Sequence, residues 1–194
     1  MDFRWAYKSA VTVFTDLVGR VPPGRWSGPG LGGWSLRDLT GHTVSSALHQ
    51  LPGVLASPAA AVTIESPEAY WAAVRTLAAD PDDARKAGES LGADPADAVI
   101  GFARKATHAL SAAGDTAVVA TPAGGMRVRD WIATRTFELV VHGLDVAAAA
   151  GVPVEYDAGV LADTTAQAVR AADPAVLLRA LTGRAPLPPG YSVL

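Results

Sequence analysis

Between Trp131 and Val146 the chain reads Trp-Ile-Ala-Thr-Arg-Thr-Phe-Glu-Leu-Val-Val-His-Gly-Leu-Asp-Val, and no other segment constrains the fold as tightly. Its ionisable side chains are Arg135, Glu138, His142 and Asp145. At about 100° per residue they share a helical strip roughly 80° wide. Leu139 and Val146 border it on one side, Phe137, Val141 and Leu144 on the other. Glu138 and His142, at i and i+4, stack one turn apart, close enough to bind a single metal ion together. The same spacing also describes a solvated face on which Arg135–Glu138 and Glu138–His142 are ordinary surface pairs. Against that stands the narrowness of the strip, since an ordinary surface helix carries a wider polar face.

A chain of 194 residues, 49% of them hydrophobic, suits one domain over 1–194 that buries a core without staples. Charged residues make up 18% and the net charge is -3, which offers no basic field for a phosphate backbone or an anionic lipid surface. Nucleic acid and membrane are therefore not expected as partners. Cysteine is absent, which excludes disulfides, thiolate ligands and a thiol nucleophile from the protein itself and agrees with a reducing compartment. Any thiol chemistry must arrive with a cofactor. The N-terminus leads into no apolar signal region, and no stretch reaches the roughly 18 apolar residues of a membrane span. A cytoplasmic protein is expected, as monomer or homodimer.

The apolar spacing of Phe3, Tyr7, Ala10, Val11, Phe14, Leu17 and Val18 predicts a first helix over 3–19, closed by Gly19. Residues 21–33 are too rich in Gly and Pro for regular structure. Ser35 with Asp38 reads as a capping box opening a second helix over 36–50, which ends before Pro52. Ser66-Pro67-Glu68 opens a third, stopping near Asp80-Pro81. A short helical piece over 82–90 comes next, and then a long helix from Asp94-Pro95 to Gly114. A small hairpin over 116–128 turns at Ala123-Gly124-Gly125. The strip helix spans 131–150, capped by Asp130 and closed by Gly151. Helices over 157–172 and 174–182 precede an irregular tail, 183–194. The fold class is all-α: a four-helix bundle core with extra short helices and one small β-hairpin.

A metal site needs at least a third ligand, and the second helix offers one. His42 lies at the edge of the inward arc marked by Leu36, Leu39 and Thr43, so packing that helix on the strip helix brings His42 over Glu138 and His142. Two histidines and one carboxylate leave coordination positions open, as catalytic sites do. His49, seven residues beyond His42, returns to nearly the same helical angle. It is read either as a fourth ligand or pocket acid/base, or as an exposed helix-end histidine. Asp145 either orients a ligand histidine or pairs with Arg135 at the surface. Arg135, Asp145 and His49 are the catalytic candidates. Asp38 is read as a cap, His108 as solvated, and Trp34, Trp71 and Trp131 as core, with Trp131 a candidate pocket wall beside the strip.

Gly33-Trp-Ser-Leu-Arg-Asp-Leu-Thr-Gly-His42 and Arg129-Asp-Trp-Ile-Ala-Thr-Arg-Thr-Phe-Glu-Leu-Val-Val-His-Gly-Leu-Asp145 resemble the paired blocks of the mycothiol-dependent maleylpyruvate isomerase family, among the DinB-like metal-binding bundles. Leu178-Arg-Ala-Leu-Thr-Gly-Arg-Ala-Pro-Leu-Pro-Pro-Gly190 extends the likeness. Where the family's first block often begins Cys-Pro-Gly-Trp, this chain has Leu31-Gly-Gly-Trp34, a change that bears on a turn. The resemblance implies a divalent metal, usually zinc, held at the positions of His42, Glu138 and His142, and mycothiol as thiol cosubstrate. It is a resemblance to a short form without the isomerase's second domain. It implies S-transfer to, or thiol-assisted isomerisation of, a small electrophilic substrate. Two rival readings fit the same residues: a non-enzymatic metal- or ligand-binding bundle, and a hydrolase using metal-bound water.

Overall fold

The computed structural model describes residues 1–77 and 82–193. Its order is α1 (Phe3–Gly19), α2 (Leu36–Val44), α3 (Leu51–Leu55), α4 (Pro67–Val74), α5 (Asp83–Ser90), α6 (Pro95–Ala112), β1 (Val118–Thr121), β2 (Gly124–Arg127), α7 (Val128–Ala150), α8 (Ala158–Ala171) and α9 (Pro174–Leu181). A 3-10 turn, Pro23–Arg25, interrupts the first loop, and a π-helical turn, Ser45–His49, joins α2 to α3. The fold is all-α with one small antiparallel hairpin, as its sequence predicts.

Four elements form the bundle: α1 packs on α6 and α7, α2 on α7, and the α2–α3 region on α6. Tyr7, Phe14, Leu17, Leu36, Leu39, Leu48, Leu51, Leu110, Trp131 and Ile132 fill the space between them. These are the periodic apolar positions of each helix, so burial follows the spacing. Among the described residues, no helix is long and apolar enough to cross a membrane.

Helix α2 is held against α5 by backbone. A Cβ on Gly41 would lie 2.2 Å from Gly88 N, and one on Gly88 2.6 Å from Asp38 Oδ1. The residue before His42 therefore admits no side chain without moving the helix. The capping box forms as expected, with Asp38 N donating to Ser35 Oγ at 3.1 Å and Ser35 N to Asp38 Oδ2 at 3.1 Å.

Several boundaries differ from the sequence reading. The second helix does not stop before Pro52. The π turn carries the chain into α3, where Pro52 takes one of the first two helical positions. Helix α4 ends at Val74, while the stop expected near Asp80-Pro81 lies outside the described residues. The hairpin turns at Pro122-Ala123, and Gly124 and Gly125 belong to β2, paired with Thr121 and Ala120. Glycine is needed there because the 57–64 loop runs along the strand: a Cβ on Gly125 would meet Ala61 O at 2.0 Å. Strand β2 passes directly into α7, which starts at Val128, so Asp130 sits in its first turn and does not cap it. Gly151 closes α7 in the left-handed conformation, as predicted.

Candidate metal centre

Helix α7 supplies Glu138 and His142 from successive turns, and α2 lays His42 across them. His142 Nε2 lies 3.3 Å and His42 Nε2 4.0 Å from Glu138 Oε2. The two imidazoles meet edge to face, ring centroids 5.2 Å apart. One donor atom from each of His42, Glu138 and His142 lies within 4.8 Å of the other two, a convergence formed by these three among the described residues. Ligands about 2.0–2.1 Å from a tetrahedral zinc ion stand about 3.4 Å apart. The set thus fits a divalent ion after a small inward movement of His42.

Hydrogen bonds around the three residues favour that use. His142 Nδ1 lies 3.1 Å from Asp145 Oδ2; with Nδ1–H donating there, Nε2 carries the lone pair that faces Glu138 and His42. Ser46 Oγ donates to Glu138 Oε2 at 3.2 Å. Trp34 lies against His42, ring centroids 4.9 Å apart and planes tilted by 39°. The side chains of Glu138 and His142 are 11% and 12% exposed and that of His42 is 35%, so the site opens to solvent past His42 and Trp34.

Burial alone would raise the Glu138 pKa, but the hydrogen bond with His142 and the charges of Arg135, His142 and His42 hold it below the usual carboxylate range. Burial would likewise lower His142, and Glu138 and Asp145 together raise it instead. For His42 burial prevails over the attraction of Glu138, helped by the charges of His142 and Arg135, and its pKa is lowered.

The other candidates separate. Asp145 contacts His142 and does not pair with Arg135. Arg135 forms no surface pair with Glu138: it is 2% exposed and enclosed by Tyr70, Trp71 and Trp131, with its Cζ 5.1, 5.6 and 5.5 Å from their ring centroids. Trp131 walls the strip, though against Arg135. His49 is exposed and packs on Phe102 of α6, centroids 5.2 Å apart. Returning it to the angle of His42 requires an unbroken α-helix, and the extra residue of a π turn rotates the downstream residues by about 100°. His108 is exposed. Ser46 is the neighbour that the sequence reading passed over, and Trp34, read there as core, is half-buried against His42. Ser46 stands at i+4 from His42, a spacing that was visible in the sequence.

Neither the curated proteins nor the solved structures hold a match to this chain. A family model does: the mycothiol maleylpyruvate isomerase N-terminal domain matches residues 7–147, a span that contains most of α1, all of α2 and most of α7 and hence all three converging side chains. By fold and by that match over most of its length, the chain belongs to the mycothiol maleylpyruvate isomerase N-terminal domain family.

Proposed function

We propose that this protein is a metal-dependent enzyme that uses a low-molecular-weight thiol, mycothiol by its family, to transfer sulfur to a small electrophile or to isomerise one. The observation that carries this reading is the convergence of two imidazoles and a carboxylate at the place where the bundle opens past Trp34. A divalent metal, zinc by the nature of the donors, supplies open coordination positions and lowers the pKa of a thiol that binds it.

The chain's own residues do the rest. His42, Glu138 and His142 would hold the ion. Asp145 keeps the His142 proton on Nδ1, which leaves Nε2 free to ligate. One negative charge from Glu138 against a divalent ion leaves the site net positive, so it favours an anionic sulfur. With no cysteine in the chain, a sulfur nucleophile must be the cosubstrate's.

Elemental mass spectrometry on the purified protein tests the first half of this reading, with about one divalent ion per chain expected. The second half is tested by following consumption of a panel of small electrophiles with and without added thiol. Turnover only with thiol supports the proposal. Turnover of esters or amides without thiol would indicate metal-bound water as nucleophile, and bound metal with no turnover in either assay would indicate a binding bundle.

A further inference from the structure

The π turn between α2 and α3 carries Ser46, and its main chain is held by side chains from three other places. Arg135 Nη1 donates to Ser46 O at 2.7 Å. Gln50 Nε2 donates to the same carbonyl. Tyr7, fully buried on α1, donates its hydroxyl to Ala47 O at 2.8 Å. A π ladder joins residues five apart, as Gln50 N to Ser45 O does at 3.4 Å. The residue five beyond Ala47 is Pro52, which has no N–H to give. Side-chain donors thus stand in where the helix has lost its regular partners.

Arg135 is a costly way to provide one of them. Its guanidinium is buried, and its other bond is from Nε to Thr134 Oγ1 at 3.0 Å. It makes no ion pair with a carboxylate among the described residues. An apolar side chain of similar volume would fill the space between Tyr70, Trp71 and Trp131 without the desolvation cost of a charge. What that side chain could not do is reach the Ser46 carbonyl. Ser46 in turn holds the site: its hydroxyl spans Thr43 O and Glu138 Oε2, each at 3.2 Å. Glu138 Oε2 is the oxygen that faces both histidines.

We propose that Arg135 is a positioning residue: by clamping the Ser46 carbonyl of the π turn it holds Ser46 Oγ on Glu138 Oε2 and so aims that carboxylate at His42 and His142. Arg135 acts through Ser46 and not on substrate: it is 2% exposed, among three aromatic rings. The inference rests on the metal reading given under Proposed function.

The test is zinc affinity of the full chain, measured by chelator competition, for the wild type, Arg135→Lys, Arg135→Met, Ser46→Ala and the Arg135→Met/Ser46→Ala double variant. Far-UV circular dichroism and thermal melting of the metal-free proteins report folding independently. Arg135→Met and Ser46→Ala should each weaken zinc binding by about 10–100-fold. Arg135→Lys should fall with Arg135→Met, since it keeps the charge and loses the reach. The double variant should lose little more than the weaker-binding single variant, because both act on one hydrogen bond. Cobalt substituted for zinc should show a changed visible spectrum in each single variant, a readout that lost stability alone would not move. Folded Arg135 variants with wild-type affinity, or losses that multiply in the double variant, overturn the proposal. If the Arg135 variants do not fold, Ser46→Ala decides: undiminished affinity there overturns it as well. A wild type that binds no zinc overturns the metal reading together with this one, whereas a zinc-binding wild type with unaffected variants overturns this one alone.

Discussion

The two helices that meet at the site are built in opposite ways. Helix α7 keeps one period for 23 residues, and its functional groups come from successive turns of a regular ladder. Helix α2 runs for nine residues and then changes period in the π turn. Their flanks differ too. On α2 the neighbour α5 sits backbone to backbone through Gly41 and Gly88. On α7 the neighbour α4 covers Arg135 with the rings of Tyr70 and Trp71. A regular helix can fix the angles of its side chains by itself, whereas a broken one needs outside contacts to fix them. The protein accordingly commits Arg135, Tyr7 and two glycines to the α2 side.

The largest effect is expected from removing a ligand on either side of this comparison. His142→Ala and His42→Ala should each eliminate stoichiometric metal, read as ions per chain by elemental mass spectrometry. Loss of His142 also strands Asp145, so its variant should be the harder to reload with excess zinc. Metal retained at full occupancy in either variant would refute the ligand assignment.

Next comes Gly41→Ala, which tests whether α2 depends on backbone packing. The new Cβ would lie 2.2 Å from Gly88 N, and backbone cannot step aside as a flexible side chain can. A loss of about 1–3 kcal/mol is expected from overpacking of this kind, measured by denaturant unfolding of the metal-free protein. Because His42 is the next residue, zinc affinity should fall as well. A stability change confined to a few tenths of a kcal/mol would mean that α5 is held elsewhere.

Asp145→Asn probes the regular side. With Nδ1 no longer facing a carboxylate, zinc affinity should drop by about 10–100-fold while the fold stays intact. The pH dependence sharpens this. Metal requires neutral His142, whose pKa is raised in the metal-free protein, so zinc binding should tighten as pH rises through that raised value. Asparagine removes one source of the increase, and the midpoint of the profile should move to lower pH. The folding linkage has the opposite direction. A raised histidine pKa stabilises the metal-free fold fully below the unfolded value of about 6.5 and loses that contribution as pH rises through the folded one. The thermal midpoint of metal-free protein should fall over that window, and by less in Asp145→Asn.

The same contrast decides how much of the molecule is legible in its sequence. Arg135, Glu138, His142 and Asp145 can be placed on one strip because α7 never departs from its period. The angle of His42 is also readable, since the capping box at Ser35 and Asp38 fixes where α2 begins. Beyond Val44 the reading fails. Nothing in Ser-Ser-Ala-Leu-His announces a π turn, whose carbonyls are satisfied by residues as distant as Tyr7 and Arg135. Helical spacing therefore assigns His49 the wrong angle. The surface alternative for Arg135 fails for a related reason. The cover on Arg135 comes from Tyr70 and Trp71, whose approach to α7 is a tertiary fact that helical spacing does not encode. The glycines of β2 read as a turn because the loop pressing on Gly125 is far away in sequence.

The smallest expected effect concerns that cover. Arg170 of α8 donates to Glu68 of α4 at 2.5 Å, tying to α8 the helix that carries Tyr70 and Trp71. Burial would raise the Glu68 pKa, but the hydrogen bond from Arg170, with those of its own backbone and of Ser66, brings it below the ordinary value. A lowered carboxylate pKa stabilises the fold above the unfolded value of about 4.3 and loses that contribution as pH falls through the folded one. The Arg170 side chain is 53% exposed, so solvent screens the pair and Glu68→Gln should cost about 0.2–1 kcal/mol at neutral pH. The difference from wild type should vanish in acid and shrink in high salt. If α4 is held on α7 chiefly by the stacking of its rings on Arg135, zinc affinity should not respond to Glu68→Gln at all. A response would mean that the cover on α7, like the grip on α2, transmits to the site.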